Sequence, residues 1–285
     1  MSEILLSVAV VTRNRPDSLE RTLKSLSLQN PQPYEVIVSD DSNSDEAIEL
    51  NKEVARKFRY KYISGLKEGL YTNRNFVAQL CTGTHIRTMD DDHEFPDEHL
   101  KICLEAIKRE PEIIWTIGEY NPWDKERSVP VKERTPGQLN PRGFAYIPKD
   151  MNTYYGIACG ASIYPRSVIE KRILSIDAYK FGLLYLEYGA RLYKLGYKIK
   201  HLDATYVLHH VEKNDVTIAS SKTIISARLV CMFLFSFKYF PSIKNKLLTI
   251  YQVVNEMLSK SYNFKLVLDA FRIYERESKN IYDKK

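Results

Sequence analysis

The chain has 285 residues, 44% hydrophobic and 27% charged, with a net charge of +6: the make-up of a globular protein with room for one large α/β domain and an appendage. Four scattered cysteines without a CxxC pair exclude a zinc or disulfide framework and read as reduced thiols of a cytoplasmic protein, and Met1-Ser2-Glu3 leads straight into apolar residues with no secretory signal. The charge is uneven: residues 217–285 hold 12 Lys/Arg against 5 Asp/Glu, a balance of +7, and the remainder sums to −1.

Leu5 to Val11 is a nearly continuous apolar run, the mark of a strand buried on both faces. A loop at Thr12-Arg13-Asn14-Arg15 leads into a helix from Pro16, with Leu19, Leu23, Leu26 and Leu28 as its apolar face. Tyr34 to Ser39 gives a second buried strand, closed by the polar run from Asp40-Asp41 to Asp45, and Tyr60 to Ile63 a third. Asn73 to Leu80 predicts a helix stopped by Gly83. A strand over 85–89 delivers Asp90-Asp91-Asp92, followed by a helix from Asp97 to Arg109 and a strand from Ile113 to Gly118. This alternation predicts a mostly parallel sheet with helices on both faces.

Residues 121–151 are rich in Pro, Gly and charge and lack periodicity; with Trp123, Phe144 and Tyr146 they suit a functional loop, a lid over a site. Strand character resumes from Ile157 to Tyr164, a helix runs from Leu183 to Leu195, and two short strands, 197–200 and 205–208, precede His209-His210. From Thr217 two or three helices follow, broken at Pro241 and near Asn263. The run Leu229 to Phe237 is too short to span a bilayer.

Three adjacent carboxylates repel one another and are costly to desolvate, so such a cluster calls for a cation, and hard oxygen donors suit Mg²⁺ or Mn²⁺. Strand ends of a parallel sheet share one edge, which brings Thr12, Arg13, Asp40-Asp41 and the triplet together. There is no GxGxxG and no GxxxxGK[ST], so neither a dinucleotide fold nor a P-loop is expected.

Val8 to Pro16, with Leu19, Leu23-Lys24-Ser25-Leu26 and Gln29, resembles the opening of the family 2 inverting glycosyltransferases. Tyr34 to Asp45 is similar to their second strand and acidic nucleotide loop, Arg74-Asn75 and Gly83 to their Arg-Asn helix, and Asp90-Asp91-Asp92 to their DxD motif. The likeness runs from about residue 4 to 210. It implies a GT-A fold, Rossmann-like and mostly parallel, over 1–215, with a nucleotide-sugar half to about 118, an acceptor half from 119, and a helical basic extension over 216–285.

The resemblance also implies roles. Thr12, Arg13, Arg15, Asp40, Asp41, Arg74, Asp90 and Asp91 would line the nucleotide-sugar site, with Arg74 near the diphosphate. Asp92 and His209 would hold Mn²⁺ or Mg²⁺, with His210 the alternative to His209. The donor would be a nucleotide-sugar, a UDP-sugar first, and the acceptor a glycan or lipid-linked hydroxyl. The family's acidic helix matches Leu186-Glu187-Tyr188-Gly189-Ala190-Arg191-Leu192, and Glu187 would be the base. This chain departs from the family's two-acid pattern, so that the usual base position can also fall on Tyr185, with Asp177 in reserve.

The expected function is therefore inverting, metal-dependent sugar transfer in glycan or surface-polysaccharide synthesis. A sugar-phosphate nucleotidyltransferase would want a Gly-rich loop where Thr12 to Pro16 has no glycine, and a catalytically silent carbohydrate-binding scaffold on the same fold is the third reading. No nucleic-acid motif accompanies the basic tail. Ile224, Ile225, Leu229, Met232, Phe233 and Phe237 share a helical face there, suited to peripheral membrane contact at the inner face, to packing on the body, or to a second subunit.

Overall fold

The computed structural model describes residues 3–120, 135–158, 160–180, 182, 184–210, 221–259 and 261–280. Trp123, the rest of the expected lid up to residue 134, and the expected boundary at 215–216 lie outside them.

Strand β1 (Leu6–Thr12) is buried at all seven positions. Helix α1 (Pro16–Ser27) takes Pro at its first turn, where the missing N–H costs nothing, and buries Leu19, Leu23 and Leu26. Leu28 falls just past the helix and is exposed, so it does not belong to the apolar face expected of it. Strand β2 (Glu35–Asp40) pairs parallel with β1, and Ser44 caps α2 (Asp45–Lys57). Strand β3 (Lys61–Ser64) pairs parallel with β2. Helix α3 (Leu70–Leu80) starts three residues before the expected Asn73, directly after Gly69, whose φ of 116° suits only glycine.

Strand β4 (His85–Asp90) lies parallel to β1 on its other side. A two-residue β5 (His93–Glu94), α4 (His99–Arg109) and β6 (Ile114–Tyr120) complete the first half. A short hairpin of β7 (Gln138–Leu139) and β8 (Ala145–Tyr146) stands apart from the main sheet. Strand β9 (Ala161–Pro165), inserted antiparallel between β4 and β6, is the main departure from an all-parallel sheet.

Helices α5 (Arg166–Glu170) and α6 (Leu184–Lys194) lead to β10 (Ile199–His209). The two short strands expected there are one strand, interrupted by a register shift between Leu202 and Tyr206. The sheet order is β3-β2-β1-β4-β9-β6-β10-β5.

Helix α7 (Ser221–Phe233) continues through a π-helical turn, Leu234–Tyr239, into α8 (Ile243–Leu258) and α9 (Phe264–Asn280). One core joins Leu184, Leu186 and Leu192 of α6 to Leu229, Val230 and Met232 of α7 and to Ala270 of α9. The C-terminal helices thus share a core with α6. Leu229, Met232 and Phe233, whose shared helical face suited membrane contact, packing on the body or a second subunit, are buried in that core.

Candidate active site

Parallel pairing aligns the C-terminal ends of β1, β2 and β4, and the polar residues just beyond them meet there. Thr12 is the hinge: its carbonyl accepts the Asp41 N–H at 3.0 Å, and its hydroxyl donates to Asp91 Oδ2 at 2.6 Å. Asp41 is buried, accepts the Lys67 N–H at 2.9 Å and packs against Gly65, where an added Cβ would lie 2.1 Å from its Oδ1. Arg13 is exposed on the same loop.

Two residues expected to line the nucleotide site are spent on the scaffold instead. Asp40 is buried; Oδ1 accepts the Ser42 N–H at 2.7 Å, and Oδ2 accepts Asn51 Nδ2 at 2.9 Å and the Tyr62 hydroxyl at 2.8 Å. It shapes the loop that presents Asp41. Arg15 turns onto the triplet, pairing closely with Asp91 and reaching Asp92 Oδ2 at 3.3 Å. Asp91 is fully buried, and burial pushes its carboxyl up to about 7, with Arg15 and Thr12 pulling the other way.

Asp90 faces Arg74. Arg74 Nη2 lies 2.6 and 2.5 Å from the two Asp90 oxygens, a forked pair that fixes the guanidinium at the sheet edge. Gly160, with φ of 73°, sits against this pair; a Cβ there would be 2.8 Å from Asp90 Oδ2 and 3.2 Å from Arg74 Nη2. Tyr185 lines the same small hollow as Arg74 and Gly160.

Asp92 is met by two histidines. Antiparallel pairing of β5 with β10 sets His93 opposite His209, with ring centroids 4.8 Å apart. His209 Nε2 stands 3.5 Å and His93 Nε2 3.8 Å from Asp92 Oδ1, while His209 Nδ1 bonds Glu119 Oε2 at 3.0 Å. Burial works against His209 as a cation, yet its bonds to Asp92 and Glu119 raise it to about 10. Burial likewise opposes the Asp92 carboxylate, but His209 and the His93 and Arg15 charges hold it below the usual range. Burial lowers His93, and both its ring nitrogens are buried without a hydrogen-bond partner.

That orphaned imidazole tests the fit of a metal. Asp92, His93 and His209 each aim one donor atom into a space where all three lie within 4.8 Å of one another. Two nitrogens and a carboxylate oxygen suit an ion that accepts both donor types, a Mn²⁺-like ion before Mg²⁺, and Glu119 supplies the carboxylate that orients His209. Sequence reasoning missed His93 and Glu119. His93 adjoins the triplet, but nothing local shows that its ring turns toward His209. His210 points away, with Nε2 on Glu94 Oε2 at 2.7 Å, though its N–H binds the Asp92 carbonyl at 2.8 Å.

Glu187 must be corrected. It is fully buried on α6, where Arg191 Nε donates to Oε1 at 2.9 Å and the Tyr239 hydroxyl donates closely to the same oxygen. Burial raises its pKa despite Arg191. A base has to reach the acceptor hydroxyl; this carboxylate instead fastens α6 to the π-helical turn. Asp177 is exposed in a separate open crevice beside Lys171, Arg172 and Arg276, away from the triplet.

An α/β sheet flanked by helices, with an acid-rich loop edge backed by arginines and histidines, defines a GT-A-type glycosyltransferase. The family model for glycosyl transferase family 2 matches residues 7–173, and the chain belongs to that family. It is similar to the GalNAc(5)-diNAcBac-PP-undecaprenol beta-1,3-glucosyltransferase of Campylobacter jejuni, 33% identical over 92 residues, which are 31% of this chain and 30% of that protein. It is also similar to the validoxylamine A glucosyltransferase of Streptomyces hygroscopicus subsp. limoneus, 39% identical over 90 residues, 30% of this chain and 20% of that one. The match therefore spans less than a third of either relative.

Among solved structures, S. aureus TarS 1-349 in complex with UDP-GlcNAc has a TM-score of 0.68 at 14% identity, over 94% of this chain and 79% of that one. GalNAc-T7 with UDP, GalNAc and Mn²⁺ has 0.64 at 16% identity, over 83% and 50%. At these identities the likeness establishes the fold. No described helix is long and apolar enough to cross a membrane.

Proposed function

We propose that the chain transfers a sugar from a nucleotide-diphosphate donor to an acceptor hydroxyl with inversion, using a divalent ion held by Asp92, His93 and His209. The observation that carries this is the buried cluster of one carboxylate and two imidazoles beside the Asp41–Thr12–Asp91 chain. UDP in the TarS and GalNAc-T7 structures and Mn²⁺ in the latter support a UDP-sugar and Mn²⁺ as first choices.

Asp92, His93 and His209 would hold the ion, which would supply positive charge toward the departing diphosphate. The chain's own residues do the rest. Arg74, fixed by Asp90, offers a second cation at the same edge. Arg15 neutralises Asp91 and Asp92 enough for both to stay in a buried loop. Asp41 is the carboxylate available to a base N–H or a ribose hydroxyl. Attack by the acceptor hydroxyl opposite the leaving group forms the new C–O bond as the sugar–diphosphate bond breaks, inverts the anomeric centre and passes the hydroxyl proton to water or to a base other than Glu187. A glycan or lipid-linked acceptor, and a role in glycan or surface-polysaccharide synthesis, follow the undecaprenol-linked substrate in the C. jejuni relative's name.

The second reading, a catalytically silent carbohydrate-binding protein, is favoured by the burial of Glu187 and by Tyr185 standing beside Arg74. One experiment separates them. UDP-glucose, UDP-GlcNAc and UDP-GalNAc are tested with and without Mn²⁺, reading both thermal stabilisation and released UDP. Transfer chemistry predicts a shift of about 5 °C at saturating donor, dependent on Mn²⁺, with catalytic UDP release. A shift without turnover favours the silent protein, and no shift under any condition ends the nucleotide-sugar reading.

A further inference from the structure

The outward face of α8 forms an apolar platform that the transfer chemistry does not use. Ile243, Leu247, Ile250, Tyr251, Val254 and Leu258 are exposed, the first and last at 80% and 79%. At 3.6 residues per turn they fall in one stripe of roughly 100°. The opposite face is seated on the body, with buried Thr249 and Gln252 at its centre and Val253 and Met257 packed on the core beside them. There the Thr249 hydroxyl donates to the Pro141 carbonyl at 2.6 Å, and Gln252 accepts from Arg142 Nε at 2.7 Å. Scattered exposed leucines are ordinary, but a full-length aligned stripe marks a contact surface.

The platform continues onto the β7–β8 hairpin. The Arg142 guanidinium lies 5.9 Å from the Phe144 ring and 6.0 Å from the Tyr251 ring, joining the stripe to the exposed Phe144, Tyr146 and Ile147. Gly143, packed on Arg228 and Met232, anchors the hairpin's turn to α7.

Charge selects the occupant. Lys244 and Lys246 are exposed and border the stripe on its two sides. The one acid of α8, Glu256, is turned inward, onto Arg228 at 3.1 Å and Gln252 at 2.8 Å. The exposed face of α8 is therefore apolar with a purely cationic fringe, on a segment carrying +7 over residues 217–285. A second copy laid on this face would bring its own lysine fringe and no carboxylate to answer it. An anionic bilayer supplies both the apolar boundary and the negative charge.

We propose that α8 and the β7–β8 hairpin dock the protein on an anionic phospholipid surface. The helix lies in the interfacial plane with its stripe among the headgroups and its lysines on the phosphates. Its 16 residues, about 24 Å at 1.5 Å each, rest on the membrane without crossing it.

The test uses the full chain with vesicles of phosphatidylcholine alone and with added phosphatidylglycerol, read by flotation, with sedimentation velocity in parallel. The expected result is flotation with the anionic vesicles that weakens as salt rises. Lys244→Gln/Lys246→Gln should bind roughly 30-fold more weakly. Leu247→Glu/Val254→Glu should lose binding with an unchanged thermal midpoint, because both side chains are exposed. The proposal is overturned if the wild type stays off anionic vesicles, if it binds neutral ones equally, or if both variants float like wild type. A dimer dissolved by Leu247→Glu/Val254→Glu in a chain that ignores vesicles would assign the face to a second copy and also overturn it.

Discussion

Thr12 and Asp91, 79 residues apart in the chain, are joined by a buried 2.6 Å hydrogen bond that ties the first strand's loop to the carboxylate triplet. The same threonine holds the Asp41 N–H through its carbonyl. One residue, through its carbonyl and its hydroxyl, thereby sets the distance between Asp41 and the carboxylates of the triplet. Arg15 closes the arrangement from the solvent side, pairing with the buried Asp91 and Asp92, while Arg74 takes Asp90.

Replacing Thr12 by Val removes the donor but keeps the shape. Asp91 then loses its neutral partner, and burial drives it further toward protonation. We expect a loss of about 1–3 kcal/mol in stability and weaker donor binding, with Thr12→Ser restoring both. Urea denaturation and UDP titration measure the two effects; wild-type behaviour of the Val variant would show that the bond organises nothing.

His93→Ala and Asp92→Asn should each remove the Mn²⁺-dependent part of UDP stabilisation and cut transfer on the order of 100-fold or more. Since His93 sits buried without a hydrogen-bond partner, His93→Ala should cost the apoprotein little stability. Calorimetric Mn²⁺ titration is the direct check, and undiminished affinity in His93→Ala would remove it from the ligand set.

Gly160→Ala combines a φ of 73° with a Cβ pressed 2.8 Å from Asp90 Oδ2. The Arg74–Asp90 fork has little freedom to retreat. The variant should lose about 1–3 kcal/mol and show reduced donor affinity. Combined with Asp90→Ala, which clears the collision, its penalty should be less than additive in a double-mutant cycle.

Glu187→Gln distinguishes a clamp from a base. Breaking the charge pair with Arg191 inside the core should cost about 3 kcal/mol, while turnover per folded molecule stays within about threefold of wild type. A base variant would do the opposite, keeping its thermal midpoint and losing roughly 100- to 10,000-fold in rate.

Two buried histidines should weaken the fold as pH falls below neutrality. Burial lowers His85, whose ring bonds the Pro111 carbonyl at 2.8 Å, and lowers His99 further, with the neighbouring Arg87 adding to the effect. The unfolded chain takes up these protons as pH falls past about 6.5, and the folded chain does so only at lower pH. At these two sites the unfolded state therefore binds more protons in that window, and their contribution to stability rises with pH through it. His209, raised to about 10, and Asp91, raised to about 7, act in the opposite sense there, so the check is a difference: His99→Gln should make the slope of urea midpoint against pH less positive than in the wild type, and an unchanged slope would contradict the His99 assignment.

Much of the architecture was legible in the sequence because burial on both faces leaves an uninterrupted apolar run. Val8 to Val11 and Val36 to Val38 announce their strands without ambiguity. Leu28 was misjudged because periodicity continues past a helix end that only Leu26 and Gln29 define in space. The separated strands 197–200 and 205–208 are one strand because a register shift against β6 hides the continuity.

The sequence by itself determined that carboxylates follow β2 and β4 and that a histidine pair ends β10, since strand order along the chain and the parallel rule carry those residues to one edge. Only the tertiary structure decided which of them face the site. Asp40 and Glu187 were captured by Asn51, Tyr62, Arg191 and Tyr239, and His93 was turned toward His209 by pairing with a strand more than a hundred residues away. The reason is physical: residue type specifies what a side chain can bind, but a buried polar group takes whichever partner packing brings within reach. The same holds for the C-terminal helices, where the most apolar stretch went into the core and α8 was left with an apolar stripe facing out.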